Sequence, residues 1–133
     1  MALELPRAIF DEMVSHAQED LPNECCGIIA GKDGAATKLF RAKNAEASPY
    51  RYSVDSGDLF RIFRECDAND WEFLVIYHSH TASPAEPSPT DIRLAFWPEA
   101  YYVVVSLADR DNPVARAFRI LDDAVSEEEL LAV

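Results

Sequence analysis

The sequence predicts an α/β fold in which one mixed β-sheet is flanked by helices. Apolar runs typical of buried strands alternate with segments of helical periodicity, and the predicted element order is α-β-β-β-α-β-α-β-β. The chain of 133 residues is long enough to bury a core, and it contains neither an internal repeat nor a low-complexity tract. We therefore expect a single domain over residues 1–133.

The first elements are a short edge strand at residues 3–5 and a helix over residues 6–20. Apolar residues recur at helical spacing between Ile9 and Ala17. His16 lies on this helix, and we expect it to be exposed or partly packed, because a lone histidine is seldom a ligand. Strands at residues 25–31 and 37–42 then form a hairpin.

Asp33-Gly34 favours the turn of that hairpin, since both residues accept positive φ angles. A further short strand is predicted at residues 50–54. Ser56 is the expected N-cap of the next helix. Cys66 continues the apolar stripe of this helix, so we expect it to fill the core.

The second half predicts a buried strand at residues 73–77 and a central strand at 101–107, where β-branched and aromatic residues are dense. A helix beginning at Ser88 is expected to stop before Pro98. Residues 114–121 alternate as a last strand. The acidic stretch 126–129 is interpreted as a solvated terminal turn.

Composition and charge exclude several classes of function. The formal net charge of −12 argues against nucleic-acid binding, which needs clustered lysine and arginine, and against adsorption to an anionic membrane. No apolar run approaches the ~20 residues of a membrane span, and no signal-peptide pattern is present at the N-terminus. Three cysteines without a framework spacing fit reduced thiols. We therefore expect a cytoplasmic protein.

The strongest functional signal is His78-Ser79-His80 at the exit of the apolar strand. On an extended chain alternate side chains share a face, so His78 and His80 project together. Two imidazoles on one face suit a transition metal. Asp91 follows on the next helix and could supply an oxygen ligand. Three such ligands would leave the fourth tetrahedral position for water, which is the pattern of catalytic zinc.

A simpler interpretation exists for the same segment. Ser88-Pro89-Thr90-Asp91 is a good helix start without any metal, because both polar side chains can accept from amide donors that lack partners. A structural zinc site would need a fourth ligand, and Cys25 and Cys26 lack the usual C-x-x-C spacing. Three other His-x-His metal folds can be excluded. Cupins need a later histidine, and none follows His80. Amidohydrolase barrels need ~250 residues, and zinc deaminases need a Pro-Cys-x-x-Cys motif that this sequence lacks. A small zinc hydrolase remains.

A general base should lie beside the metal in such an enzyme, and Glu24 is the best candidate. It precedes an apolar strand, where partial desolvation would raise its pKa. The alternative is a solvated loop acid among 24 acidic residues.

These residues resemble the JAMM, or MPN-plus, zinc isopeptidases. The family pattern is a glutamate at a strand start, then His-x-His, seven residues, Ser, two residues and Asp, which Glu24, His78, His80, Ser88 and Asp91 match. The resemblance implies the MPN (JAB1/MPN) fold, a curved mixed sheet flanked by helices that is cytidine-deaminase-like. It also implies a Zn²⁺ cofactor held by His78, His80 and Asp91. Glu24 would be the general acid/base, and Ser88 would hydrogen-bond the oxyanion.

One departure is Thr81, where eukaryotic members commonly have proline; it bears on subgroup and not on catalysis. Several stretches resemble the actinobacterial Mec-type peptidases, which release cysteine from the C-terminus of a ubiquitin-like sulfur-carrier protein: residues 24–27, 44–46, 48–49, 55–57, 77–81 and 101–103. The resemblance implies a partner with a Gly-Gly tail. The alternatives are an isopeptidase that removes a ubiquitin-like modifier from lysine and an inactive MPN scaffold. The oligomeric state stays open.

Overall fold

The computed structural model describes residues 2–133, which contain seven β-strands and three α-helices. All seven strands belong to one mixed sheet, in the order β1-β7-β6-β5-β4-β2-β3. The predicted α/β class is thus confirmed. In chain order the elements are β1 (Ala2–Leu5), α1 (Arg7–Glu19), β2 (Cys26–Lys32), β3 (Ala35–Ala42), α2 (Ser56–Asn69), β4 (Glu72–His80), α3 (Pro89–Arg93), β5 (Tyr101–Ser106), β6 (Val114–Leu121) and β7 (Ala124–Ala132).

Strand β4 is held on both sides, antiparallel to β2 and parallel to β5. The register places His78 opposite Cys26 on one side and opposite Val104 on the other. Its sequence from Leu74 onward is fully buried, as an apolar strand with no solvent face requires. The two histidines therefore lie at the end of a strand that is hydrogen-bonded along both edges.

Two apolar cores cover the two faces of the sheet. Helix α1 contributes Met13 and Ala17 to one core, and α2 contributes Ile62 and Cys66 to the other. Successive residues of β4 from Val75 to Tyr77 alternate between these cores, because side chains in a strand point to opposite faces. Leu74 and Val75 lie in the same core, where the register between β2 and β4 shifts. The prediction that Cys66 fills the core is confirmed.

Helix α1 also buries a histidine that the sequence analysis expected to be exposed or partly packed. His16 is 3% exposed, and its Nδ1 lies 2.6 Å from the Tyr77 hydroxyl oxygen. The prediction failed because the polar partner comes from β4. Gly27 makes room for this tyrosine, since a Cβ atom at position 27 would lie 2.3 Å from the Tyr77 ring.

The C-terminal acidic stretch is a strand and not the predicted terminal turn. Strand β7 pairs with β6 and, in parallel, with β1. Asp122 and Asp123 both have positive φ and make the tight turn from β6. The acidic side chains of β7 are mostly exposed. Composition alone therefore suggests a solvated turn where the chain forms an exposed strand.

Two further predictions are corrected by local hydrogen bonding. Residues 50–54 do not form a strand, because only Val54 forms an isolated bridge, with Asn44. The N-cap of α2 is Asp55 and not Ser56, since the Asp55 carboxylate accepts from the Asp58 N–H. Helix α3 ends at Arg93, well before Pro98.

The predicted hairpin is confirmed, with Asp33 and Gly34 at φ 53° and 81° in the turn between β2 and β3. The prediction of a β1 edge strand is also confirmed. None of the helices in residues 2–133 has the length and apolar content needed to cross a membrane.

Candidate active site

Three predicted metal ligands meet at the C-terminal end of β4. His78 Nε2 and His80 Nε2 lie 3.2 Å apart, and Asp91 Oδ2 lies 2.9 Å and 3.0 Å from them. We call His78, His80 and Asp91 the donor triad. The histidines project to one face because they alternate on an extended strand. Strand geometry alone therefore delivers two of the three donors.

Asp91 reaches the histidines because it is part of a capping box. The Asp91 N–H donates to Ser88 Oγ at 3.0 Å, and the Ser88 N–H donates to Asp91 Oδ2 at 2.9 Å. These bonds satisfy two amide groups at the start of α3. The capping role of Ser88 and the placement of Asp91 in the triad thus occur together. The bonds leave the Ser88 hydroxyl proton free to point outward.

The donor triad fits a tetrahedral transition metal. With metal–ligand distances of ~2.0–2.1 Å, tetrahedral ligands lie about 3.3 Å apart, close to the separations within the triad. Two imidazole nitrogens and a carboxylate oxygen are donors that zinc accepts. Within residues 2–133 no fourth His, Cys, Asp or Glu donor joins the group. The set therefore suits a catalytic ion better than a structural one.

The two imidazoles are oriented in different ways. His80 Nδ1 lies 2.8 Å from the Pro84 carbonyl oxygen, to which it can donate, so that Nε2 is free to act as a ligand. His78 Nδ1 is buried and has no hydrogen-bond partner among the described residues. Its ring instead stacks on Tyr52, with centroids 4.2 Å apart and an interplanar angle of 18°.

Electrostatics within the triad favours an ionised Asp91. Burial opposes the charge, but hydrogen bonds with His78 and His80 outweigh it and hold the pKa of Asp91 well below its usual range. Burial lowers the pKa of His78. Burial also disfavours charge on His80, yet its bonds with Asp91 and Pro84 raise its pKa overall.

Glu24 is a buried acid within electrostatic range of the triad, and one of its oxygens is unused. The residue is 4% exposed, and Oε1 has no hydrogen-bond partner among the described residues. Burial raises its pKa to about 7; His80 lowers the pKa and Asp91 raises it. A buried carboxyl without a partner is costly to a fold, and it is characteristic of a catalytic site. The solvated-acid alternative is wrong, because Glu24 is inside the protein.

Cys25 and Cys26 do not belong to the triad. Cys25 packs in the α1 core and Cys26 in the α2 core. Burial raises the pKa of each thiol to about 12. The backbone at Cys25 is instead held by Ser79, whose Oγ accepts from the Cys25 N–H at 2.8 Å. This bond fixes the chain next to Glu24 against the end of β4.

A groove of about 270 Å³ opens next to Asp91. It lies between α2, α3 and the segment of residues 51–54, which we call the groove segment. Its walls are mainly apolar and aromatic, with Tyr52, Val54, Leu59, Leu94, Phe96, Trp97 and Tyr102 among the lining residues. An extended peptide could therefore lead directly to the donor triad.

Two residues near the site were missed by the sequence analysis in spite of lying in segments that it used. Tyr52 stacks on His78, and the buried Asn44 amide bonds the Glu24 carbonyl. Asn44 belongs to the stretch 44–46 that resembles the Mec-type peptidases. The sole sequence signal was a polar residue and a tyrosine in a segment of mixed character, which does not predict a site.

Comparison with known proteins agrees with this geometry. The CysO-cysteine peptidase of Mycobacterium tuberculosis is 43% identical over 122 residues, covering 90% of this chain and 84% of that protein. A probable TtuB-protein conjugate cleaving protease of Thermus thermophilus is 31% identical over 104 residues, covering 77% of this chain and 70% of that protein.

Solved structures show the same fold. The solution structure of a protein of Desulfitobacterium hafniense superposes on this chain with a TM-score of 0.87 at 35% identity, and the match covers 100% of this chain and 93% of that chain. A JAB1/MPN domain protein of Archaeoglobus fulgidus shares the fold with a TM-score of 0.63 at 15% identity, covering 96% and 98%. The model for prokaryotic homologs of the JAB domain matches residues 6–121. The chain therefore belongs to the prokaryotic JAB-domain family.

Proposed function

We propose that this protein is a zinc-dependent metallopeptidase that hydrolyses the bond after the C-terminal Gly-Gly of a ubiquitin-like sulfur-carrier protein and releases cysteine. The relative from Mycobacterium tuberculosis, named a CysO-cysteine peptidase, supports this substrate class. The observation that carries the proposal is the buried carboxyl of Glu24, whose Oε1 has no hydrogen-bond partner among the described residues and whose pKa responds to His80 and Asp91 of the donor triad. The three free cysteines suit the reducing conditions of the cytoplasm, where we place the reaction.

The donor triad would hold the zinc ion. When bound, zinc supplies a Lewis acid and lowers the pKa of a coordinated water from 15.7 towards ~7. Asp91 brings a negative charge that its hydrogen bonds keep ionised, and His80 is kept in a metal-binding orientation by Pro84. The protein part of the site is therefore formed before a substrate arrives.

Glu24 would serve as the general acid and base. Its carboxyl, with a pKa raised by burial to about 7, can exchange a proton near neutral pH. It would accept a proton from the attacking water and return it to the leaving amine. The free oxygen Oε1 has no competing hydrogen bond within the protein.

Ser88 would stabilise the oxyanion. Its Oγ accepts the Asp91 N–H, which orients the side chain and leaves the hydroxyl proton as a donor. One such donor typically contributes 10²–10³ in rate. The capping and oxyanion roles use different atoms of the same hydroxyl group and are compatible.

The groove next to Asp91 would bind the Gly-Gly tail as an added strand. Ala45 donates to the Ser53 carbonyl and Asp55 donates to the Lys43 carbonyl, so one edge of the groove segment is paired. On an extended chain the N–H and C=O groups of Tyr52 and Val54 then point to the opposite side. An extended peptide can pair with such an edge, and glycine fits where aromatic walls approach closely.

The body of the carrier would dock on an apolar face that continues from the groove. This carrier face is defined by Phe96 and Trp97, which line the groove, and by Phe60 and Phe63, one turn apart on α2. The four side chains are exposed by 72%, 41%, 62% and 52% respectively. Trp97 lines both the groove and a neighbouring pocket that reaches Phe63. Exposed aromatic clusters of this kind mark interaction sites.

A second candidate is an isopeptidase that removes a ubiquitin-like modifier from lysine. The relative from Thermus thermophilus, named as a conjugate cleaving protease, favours it. Both candidates use the same triad and differ only in the leaving group. An inactive scaffold is disfavoured, since the donor triad is assembled, Ser88 bonds Asp91, and the buried Glu24 lies within electrostatic range of His80 and Asp91.

The deciding experiment offers two substrates to the zinc-loaded protein. One is a carrier ending in Gly-Gly-Cys, and the other is the same carrier linked through its terminal glycine to a lysine side chain. Mass spectrometry should show loss of cysteine from the first. Glu24→Gln should keep zinc and lose turnover, whereas His78→Ala should lose both.

Hydrolysis of only the lysine-linked substrate would favour the second candidate. No hydrolysis of either, with no stoichiometric zinc after mild dialysis, would leave a scaffold as the better description.

A further inference from the structure

Asn44 forms a buried junction at the edge of the site. Its Nδ2 donates to the carbonyl oxygens of Glu24 and Arg51, at 3.0 Å and 3.1 Å. Its Oδ1 accepts the N–H groups of Glu46 and Ser53, each at 3.0 Å. All four hydrogen-bonding positions of the amide are thus used, at a residue that is 7% exposed.

The first of these bonds acts on the residue that we propose as general base. The Glu24 N–H donates to the Ser48 carbonyl and the Glu24 carbonyl accepts from Asn44, so both backbone groups are bonded to residues 44–48. The side chain of Glu24 has no partner at Oε1 that would hold it. The position of its carboxyl therefore depends on the backbone that Asn44 holds.

Two other bonds act on Tyr52. Asn44 bonds Arg51 and Ser53, which are the residues immediately before and after Tyr52. Tyr52 stacks on His78, whose Nδ1 has no hydrogen-bond partner among the described residues. Metal-binding histidines usually have their second nitrogen hydrogen-bonded, and this bond fixes the ring. At His78 the stacked Tyr52 ring, in place of a hydrogen bond, fixes the orientation of the imidazole.

We propose that Asn44 is a positioning residue that holds Glu24 and Tyr52 in one rigid unit, and so sets both proton transfer and the grip of His78 on the metal. It touches neither the substrate nor the donor triad. The expected effect on proton transfer rests on the proposed function, whereas the expected effect on zinc affinity rests on the donor triad alone. A purely structural residue would stabilise the loop without affecting either property.

The test compares Asn44→Asp and Asn44→Ala with Ser48→Ala. Asn44→Asp keeps the two acceptor contacts and loses the donors to Glu24 and Arg51, whereas Asn44→Ala loses all four bonds. Ser48→Ala removes the bond from the Tyr50 N–H to Ser48 Oγ in the same loop and leaves Asn44 intact. Zinc affinity is measured by competition with a chelator, kcat and KM with the carrier–cysteine adduct, and folding by thermal unfolding.

Both Asn44 variants should lose about 10²-fold in kcat with little change in KM, because a displacement of about 1 Å at a catalytic group has this effect. Zinc affinity should fall about tenfold, as for other residues that orient a ligand. Ser48→Ala should match the wild type in both measurements.

Wild-type kcat and zinc affinity in Asn44→Asp would overturn the proposal. So would equal losses in Ser48→Ala, or losses that follow the unfolding temperature across all three variants. If the wild type cleaves no adduct, the proposed function fails, but the zinc affinities still decide whether Asn44 acts on the triad.

Discussion

His16 and Tyr77 form a hydrogen-bonded pair between α1 and β4, with 2.6 Å between Nδ1 and the phenol oxygen. The pair lies on the opposite face of the sheet from the donor triad, in the core that α1 covers. Asp20 lies 3.3 Å from His16 Nε2 on the outer side. The tyrosine that supports the histidine also directly precedes His78.

The first prediction concerns the effect of pH on this pair. Burial lowers the pKa of His16, although Asp20 opposes the shift. Below pH ~6.5 the unfolded chain therefore binds a proton that the folded protein does not. The wild type should lose stability relative to His16→Gln as pH falls from 6.5, by at most about 1.4 kcal/mol per pH unit. Urea unfolding at pH 7.5 and 5.5 checks this; parallel changes in the two proteins would contradict it.

The second prediction is that Glu24 destabilises the metal-free fold. Its pKa of about 7 in the folded protein exceeds the value of 4.5 for a free side chain, so the folded state favours the protonated form. The cost is absent below pH 4.5, grows up to pH 7 and then stays constant. In chelator, Glu24→Gln should be more stable than the wild type by about 3 kcal/mol at pH 8. Equal stabilities at pH 8 would mean that the carboxyl is solvated.

The third prediction is that the cysteines do not react in the native protein. Burial raises the pKa of Cys25 and Cys26 to about 12, and all three cysteines are buried. Because the thiolate is the reactive form, iodoacetamide at pH 8 should label none in native protein and all three in urea. Cys25→Ala should keep its zinc. Loss of zinc from this variant would identify the site as structural.

The fourth prediction separates the two roles of Ser88. Ser88→Ala should lower kcat by about 10²-fold and destabilise the protein by about 1 kcal/mol through the lost cap. Glycine is a tolerable N-cap that has no hydroxyl, so Ser88→Gly should be nearly as stable as the wild type and as slow as Ser88→Ala. If Ser88→Gly recovers activity together with stability, only the cap matters.

The fifth prediction tests the carrier face. Replacing Phe60 and Phe63 together by serine should raise KM for the whole carrier adduct at least tenfold, because exposed aromatic anchors carry most binding energy. Cleavage of a short Gly-Gly-Cys peptide should be unaffected. Leu121→Ser is the matched control, since Leu121 is also exposed but lies at the end of β6. An equal effect on the short peptide would contradict docking on this face.

The parts of the site that could be predicted are those set by local geometry. His78 and His80 follow from strand alternation, and Asp91 follows from a capping box within four residues. For Glu24 the residues alone leave two interpretations, a general base and a solvated acid, because its position relative to the triad depends on the pairing of β2 with β4.

Three of the misses, at His16, Asn44 and β7, share one physical cause, which is a partner far away in sequence. His16 is buried by Tyr77, 61 residues later, and Asn44 by Glu24, 20 residues earlier. Strand β7 was missed for a related reason. Its acidic residues indicate solvent correctly, but only its neighbours β1 and β6 make it a strand. The composition of a segment indicates whether its side chains are exposed, but it does not identify the strands with which the segment pairs.

The donor triad joins two parts of the chain that differ in local stability. Strand β4 is bonded along both edges, whereas α3 has five residues and buries none of them. Local opening requires few contacts to break, so α3 can fray while β4 stays intact. In native-state hydrogen exchange the amides of β4 should open only with the whole protein, and those of α3 long before it. Binding or release of an ion at the donor triad would then require only α3 to open, while β4 keeps the two histidines in place.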